Sequence, residues 1–226
     1  MGYYDNYNFD GLKLLSEIKN IPDVSEPCPE FISAVEQLKS TRRNVSVAEV
    51  GIGVGATALR TLELLDADDV YCCFDFMNML EAFFSDLDAG KFNVKCKIVA
   101  FGNSRLEWDS YNWNLSNLIL QMRERHESGM FDAVYLDGAH TFMHDGLAVC
   151  LLKELIKDGG YLVLDDVNFI CWPRFKDLHK NHMPENQMKD RQIFRVKEIF
   201  LSSDPNFIEI SPPDNYRAVF KKRSST

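Results

Sequence analysis

Long apolar runs are missing from this 226-residue chain. None approaches the roughly 20 residues that span a bilayer, so no membrane partner is expected. The first residues, Met1-Gly2-Tyr3-Tyr4-Asp5, lack the basic and apolar regions of a signal peptide. Asn6 stands where a myristoylation signal carries Ser or Thr. Positive charge is scarce: 25 Lys and Arg face 34 Asp and Glu, a net charge of -9. That balance argues against nucleic acid as a partner, because phosphate contacts need Lys and Arg. The basic tail Lys221-Lys222-Arg223 reads as a solvated terminus. Six cysteines are present, without the spacing of a zinc site or a secreted disulfide framework. Cys72 and Cys73 are neighbours in an apparent strand and should point to opposite faces. The expectation is reduced thiols in a cytoplasmic protein. No internal repeat or low-complexity tract is found, and homo-oligomerisation is left open.

Hydrophobic content of 46% and charged content of 26% are ordinary globular values, and the length suits one domain with a sizeable core. Residues 1–44 read as a partly helical segment, broken at Ile21-Pro22 and Pro27-Cys28-Pro29. Within it Phe31, Ile32, Val35 and Leu38 recur at helical spacing, so this segment is read as a packing helix or lid. From residue 45 onward strands and helices alternate, which predicts a parallel sheet. Strands are predicted at Val45–Val50, Val70–Phe76, Lys95–Phe101, Phe131–Leu136 and Tyr161–Leu164. Helices are predicted at Ala56–Leu65, Met79–Leu87, Leu115–Arg125 and Phe142–Ile156, with Asp158-Gly159-Gly160 ending the last. Near-continuous apolar strands fit a sheet covered on both faces. Residues 172–192 are polar and irregular, a surface loop or a substrate lid. The chain closes with a helix (Ile193–Leu201) and two strands (Phe207–Ile210 and Tyr216–Lys221) around Pro212-Pro213-Asp214-Asn215.

The stretch Glu49-Val50-Gly51-Ile52-Gly53-Val54-Gly55 carries the most information. A strand runs into glycines at alternate positions and then into a helix. Such a turn lets backbone approach a nucleotide-like cofactor, where a side chain would block contact or forbid the φ angles. Asp75 ends the next strand about 20 residues on, where a carboxylate can accept ribose hydroxyls. Gly102-Asn103-Ser104 follows the third strand.

Two further motifs stand at the carboxyl ends of neighbouring strands, where open α/β sheets bind ligands. They are Tyr135-Leu136-Asp137-Gly138-Ala139-His140 and Leu164-Asp165-Asp166-Val167-Asn168. Carboxylates converging there would repel one another unless something positive joined them, and a hard cation such as Mg²⁺ suits an all-oxygen site. His140, three residues after Asp137, can face the same pocket. His144, one turn further, is read as structural, since no thiolate or third imidazole has matching spacing.

Taken together, these motifs resemble the class I S-adenosylmethionine-dependent methyltransferases, and within them the metal-dependent O-methyltransferases of the catechol and macrolide-sugar types. The likeness covers residues 45–170. It implies a Rossmann-like, doubly wound, mostly parallel seven-stranded sheet with a C-terminal antiparallel hairpin over 45–226, and it weakens in 1–44, the segment read as an N-terminal helical lid. It makes Glu49, Gly51, Gly53, Gly55, Asp75, Asn103, Ser104 and Asp137 cofactor-binding, with Asn103 and Ser104 beside the adenine. It makes Asp137, Asp165 and Asp166 the Mg²⁺ ligands. Asp166 departs from the Asn of the catechol type, and His140 matches the macrolide-sugar type. The implied reaction is methyl transfer to a small-molecule hydroxyl on a sugar, natural product or catechol-like diol. His140 would remove the proton, with an ordinary pKa of about 6.5. An NAD-dependent oxidoreductase is the rival, because Gly51-x-Gly53-x-x-Ala56 also fits the dinucleotide fingerprint. Against it, no Tyr is followed four residues later by Lys. A cofactor-binding protein without catalysis is the non-enzymatic rival.

Overall fold

The strands at the centre of the computed structural model are buried over nearly their whole length. β1 (Ser46–Val50), β2 (Val70–Phe76) and β4 (Phe131–Leu136) show almost no exposed residue, as their apolar runs require of a sheet covered on both faces. The structure describes residues 26–224, apart from 91, 107, 174 and 214. The predicted break at Ile21-Pro22 and the earlier part of the 1–44 segment lie outside the described residues.

Seven strands form one sheet in the order β3-β2-β1-β4-β5-β7-β6. β3 spans Lys97–Asn103, β5 Ile156–Leu164, β6 Phe207–Glu209 and β7 Ala218–Lys222. The first five are mutually parallel, while β7 runs antiparallel to both β5 and β6. The fold class read from the sequence is therefore the one observed.

Alternation along the strands splits the core into two layers. Val50, Phe74, Val134 and Leu162 join the cluster under α4 (Tyr111–Glu124), α5 (Phe142–Leu155) and α8 (Gln192–Lys197). Val47, Tyr71, Ala133 and Val163 join the other, under α1 (Pro29–Thr41), α2 (Ala56–Leu64) and α3 (Met77–Gly90). Cys72 and Cys73 go to opposite layers, as adjacent strand residues must. All six cysteines are free thiols. Helix α1 starts at Pro29, where the missing N–H costs nothing, and buries Phe31, Ala34, Val35 and Leu38 against the body. Ala34 replaces the predicted Ile32 on that face.

Several boundaries differ from the sequence reading: α4 begins at Tyr111 where the sequence predicts Leu115, and β3 runs Lys97–Asn103 where it predicts Lys95–Phe101. Asp158-Gly159-Gly160 does not end α5; the helix stops at Leu155 and β5 begins at Ile156. The glycines form a bulge, since Phe131 pairs with Ile156 but Ala133 with Tyr161. The reason is local: Gly159 has φ +73°, and a Cβ on Gly160 would meet the Asp132 carbonyl at 2.9 Å. Residues 172–192 contain two short helices, α6 (Lys176–His179) and α7 (Glu185–Met188). Helix α8 continues into a π-helical turn over Glu198–Ser202.

The amino ends of the strands are tied by buried acids. Asp69 accepts from the Val45 amide at 2.8 Å and from Lys39 at 2.6 Å. Asp132 accepts from Lys157 at 2.9 Å and the Ser46 amide at 2.8 Å, and it pairs with Arg42. The carboxyl ends carry the remaining chemistry. Among the described residues no helix is long and apolar enough to cross a membrane.

Candidate active site

Backbone bonds past the strand ends hold the key residues in a row. The Gly51 amide donates to Phe74 at 2.8 Å, the Asp137 amide to Val50 at 2.9 Å and the Asp165 amide to Leu136 at 3.0 Å. The glycine turn and the acid loop touch: a Cβ on Gly51 would sit 1.8 Å from the Asp137 carbonyl oxygen. Gly51 also has φ +87°, and Gly55, with φ +88°, opens α2 in the left-handed region. Only glycine meets both demands at position 51.

Asp75 lies directly beneath this turn. Its Oδ2 accepts from the Ile52 and Gly53 amides at 2.8 and 2.9 Å, and its Oδ1 from the Phe76 amide at 2.6 Å. These bonds use three of the roughly four acceptor sites of a carboxylate, leaving room for one more donor such as a ribose hydroxyl. Burial raises its pKa to about 6 against the opposing pull of these amides.

Glu49 is buried in the sheet and accepts a 2.6 Å hydrogen bond from Tyr71, and burial raises its pKa well above the usual carboxylate range. Asn103 ends β3, and its Oδ1 is buried with no hydrogen-bond partner among the described residues. Ser104 donates both its amide and its hydroxyl to Asp109, at 2.6 Å each.

Asp137, Asp165 and Asp166 do converge, and protein groups join them. His140 Nε2 lies 2.8 Å from Asp137 Oδ1 and its Nδ1 3.2 Å from Asp166 Oδ2. Tyr135 donates to Asp165, and its hydroxyl lies 3.3 Å from Asp137 Oδ2. Arg217 Nε lies 3.0 Å from Asp165 Oδ1, an ion pair rather than an aligned hydrogen bond. Burial pushes Asp165 to about 6, helped by the Asp137 charge and opposed by Arg217. Burial alone would lower the His140 pKa, but the Asp137 hydrogen bond and the two neighbouring carboxylates outweigh it and raise it to about 10. Both ring nitrogens face a carboxylate, which holds the imidazole toward its protonated form rather than at the ordinary value expected from the sequence. The ring is a quarter exposed, so a ligand can reach this row.

His140 and Asp166 both hold left-handed backbone, at φ +54° and +55°. Such conformations persist in non-glycine residues only where the surroundings fix them. Asp145 supplies that restraint for His140. It accepts from the Ala139 amide at 3.3 Å, the Thr141 amide at 3.0 Å and Tyr111 at 2.6 Å. Sequence reasoning missed Asp145, Tyr111, Tyr135 and Arg217. Tyr135 stood inside a quoted motif but read as strand, and nothing in the sequence marks a lone Arg at the foot of the last strand.

The insertion of antiparallel β7 between β5 and β6 departs from the all-parallel 3-2-1-4-5-6 order of dinucleotide folds. Solved structures share the fold. The O-methyltransferase TomG from Streptomyces achromogenes, in complex with SAM, matches at a TM-score of 0.57 and 16% identity, covering 100% of both chains. The O-methyltransferase from Bacillus cereus, in complex with SAH, matches at 0.56 and 14% identity, covering 99% of this chain and 98% of that one. The SAH-bound methyltransferase PaMTH1 from Podospora anserina matches at 0.53 and 14% identity, covering 94% of this chain and 88% of that one. The chain shares the fold of these methyltransferases. No protein-family model matches the chain, and no curated protein does.

Within the methyltransferase fold, the residues present fit a nucleoside cofactor. A glycine cradle, a spare acceptor site on Asp75 and the orphaned Asn103 oxygen stand along one edge. They do not fit a divalent cation. Five of the six oxygens of Asp137, Asp165 and Asp166 face a protein donor within 3.3 Å. Among the described residues no group of three or more His, Cys, Asp or Glu side chains is arranged to hold a metal.

Proposed function

We propose that this protein is an S-adenosylmethionine-dependent O-methyltransferase acting on a hydroxyl of a small molecule. The observation that carries the reading is the contact between the glycine turn and the Asp137 loop, which sets a cofactor cradle against a row of charged, partly open side chains. When bound, S-adenosylmethionine supplies a methyl group on a sulfonium, an electrophile that departs as a neutral thioether. The protein's own part is positioning and charge. Gly51, Gly53 and Gly55 admit the cofactor, Asp75 receives a ribose hydroxyl, and Asn103 offers its unpaired oxygen to the adenine. Ser104 shapes the turn beside it. Glu49, buried near the end of β1, fixes β1 to β2 through Tyr71.

The acceptor hydroxyl meets the Asp137–His140–Asp166 row. Its proton passes to a carboxylate oxygen there as the C–O bond forms. The His140 imidazolium holds the two acids in place and offsets their charge. Phe169 lies 5.6 Å from the His140 ring and 5.5 Å from Phe175, an aromatic line leading away from the row. That line suits a ring-bearing acceptor, either a sugar or an aromatic diol. A lid is part of the same reading, with residues 172–192 over the acceptor.

Radiolabelled methyl transfer from S-adenosylmethionine to a panel of sugars and phenols tests the proposal. Labelled product with any of them supports it. Tight NAD binding without S-adenosylhomocysteine binding would reject it, and cofactor binding without turnover on any acceptor would favour a non-catalytic binder.

A further inference from the structure

Converging carboxylates need a positive partner, and the structure supplies one from the protein itself. Arg217 precedes β7 and reaches Asp165 Oδ1 at 3.0 Å, while its Nη1 lies 3.5 Å from Glu30 Oε2 on α1. Asn215 holds the same Glu30 through a 3.0 Å hydrogen bond to Oε1. The guanidinium is therefore gripped between the sheet and the first turn of α1, with its side chain only 19% exposed. It cannot shed its charge in a protein. On the far side of the cluster, His140 stands between Asp137 and Asp166. Mg²⁺ demands near-octahedral oxygens at roughly 2.0–2.1 Å, whereas both Asp165 oxygens already face protein donors, Oδ1 the Arg217 guanidinium and the Asp166 amide and Oδ2 the Tyr135 hydroxyl.

We propose that Arg217 takes the place of the divalent cation at this acid cluster, so that the protein works without a metal and admits one only when Arg217 is removed. The Arg217 Nε–H has no aligned acceptor among the described residues. The inference rests on the proposed methyl transfer only for what the site does; exclusion of the metal is a property of the resting protein.

The experiment is a Mn²⁺ titration of the full chain followed by electron paramagnetic resonance, with S-adenosylhomocysteine calorimetry on the same samples. The wild type should leave the free-ion signal unchanged. Arg217→Met should remove it until the protein is saturated, and adding Asp166→Asn to that variant should restore it. Arg217→Gln serves the same purpose if the Met variant fails to fold. Mn²⁺ binding by the wild type that Asp166→Asn abolishes would overturn the proposal. So would a folded Arg217 variant that still ignores Mn²⁺. Loss of S-adenosylhomocysteine binding in the wild type would count against the cofactor reading instead, leaving the metal result to be judged alone.

Discussion

Asp75 accepts hydrogen bonds from three backbone amides before any ligand arrives, and this shapes what its loss should do. Asp75→Ala removes the spare acceptor site and also frees the Ile52 and Gly53 amides of the cradle. S-adenosylhomocysteine affinity should fall by about 1–3 kcal/mol, the range for a lost buried acceptor. Calorimetry reads this directly, and an unchanged affinity would place the ribose elsewhere. His140 behaves differently, because it touches the acid row and not the cradle. His140→Ala should lower kcat by about 10²–10⁴-fold if proton transfer depends on that row. S-adenosylhomocysteine affinity should stay as in wild type. A variant with near-normal kcat would leave His140 a purely structural counter-ion.

Between strand β4 and helix α5, the loop Asp137–Thr141 keeps its shape through a residue one turn inside the helix. Asp145 is fully buried and gathers the Ala139 and Thr141 amides together with the Tyr111 hydroxyl of α4. A Cβ on Gly138 would meet Asp145 Oδ1 at 2.3 Å, so the loop is pressed onto this carboxylate. Asp145→Ala would leave the Tyr111 hydroxyl and the Thr141 amide without this acceptor, at a cost of about 1–3 kcal/mol for each such buried group, while the Ala139 amide keeps Tyr111 at 3.3 Å. Urea denaturation should show the loss of stability, and kcat should fall because His140 loses its left-handed backbone. Asp145→Asn retains one acceptor oxygen and should recover part of both. Equal damage to S-adenosylhomocysteine binding would show that the effect is general unfolding and not misplacement of His140.

Across the whole molecule the two ends of the sheet do different work. Acids at the amino end are closed by Lys39, Lys157 and Arg42, whereas those at the carboxyl end are partly open. Asp69 illustrates the consequence. Burial alone would raise its pKa, but the Asp66 amide, Lys39 and the Val45 amide outweigh it and hold it below the usual carboxylate range. A folded-state pKa below the unfolded value of about 3.9 gives stability that is present above that pH and is lost as pH falls through the folded value. Asp69→Asn should therefore be less stable than wild type at pH 7, with the gap shrinking once pH drops below about 4. Urea midpoints measured from pH 7 to pH 3 test this. A gap that stays constant with pH would mean that Asp69 acts through packing alone.

The alternation of apolar strands with helical segments settled the layer architecture, because burial on both faces needs continuous apolar runs that any reader of the chain can see. The glycine turn and Asp75 were legible for a similar reason: their demands on backbone angle and spacing are local. The convergence of Asp137, Asp165 and Asp166 followed from their placement after neighbouring strands. What neutralises them did not. Arg217 lies more than 50 residues beyond Asp165 in the chain, and only the antiparallel return of β7 beside β5 brings it there. Glu49 shows the same limit, since its partner Tyr71 is chosen by the register of β1 on β2. The protonation of His140 likewise depends on which carboxylates stand on either side of the ring. Strand order and pairing decide such contacts, and local residue patterns do not carry them.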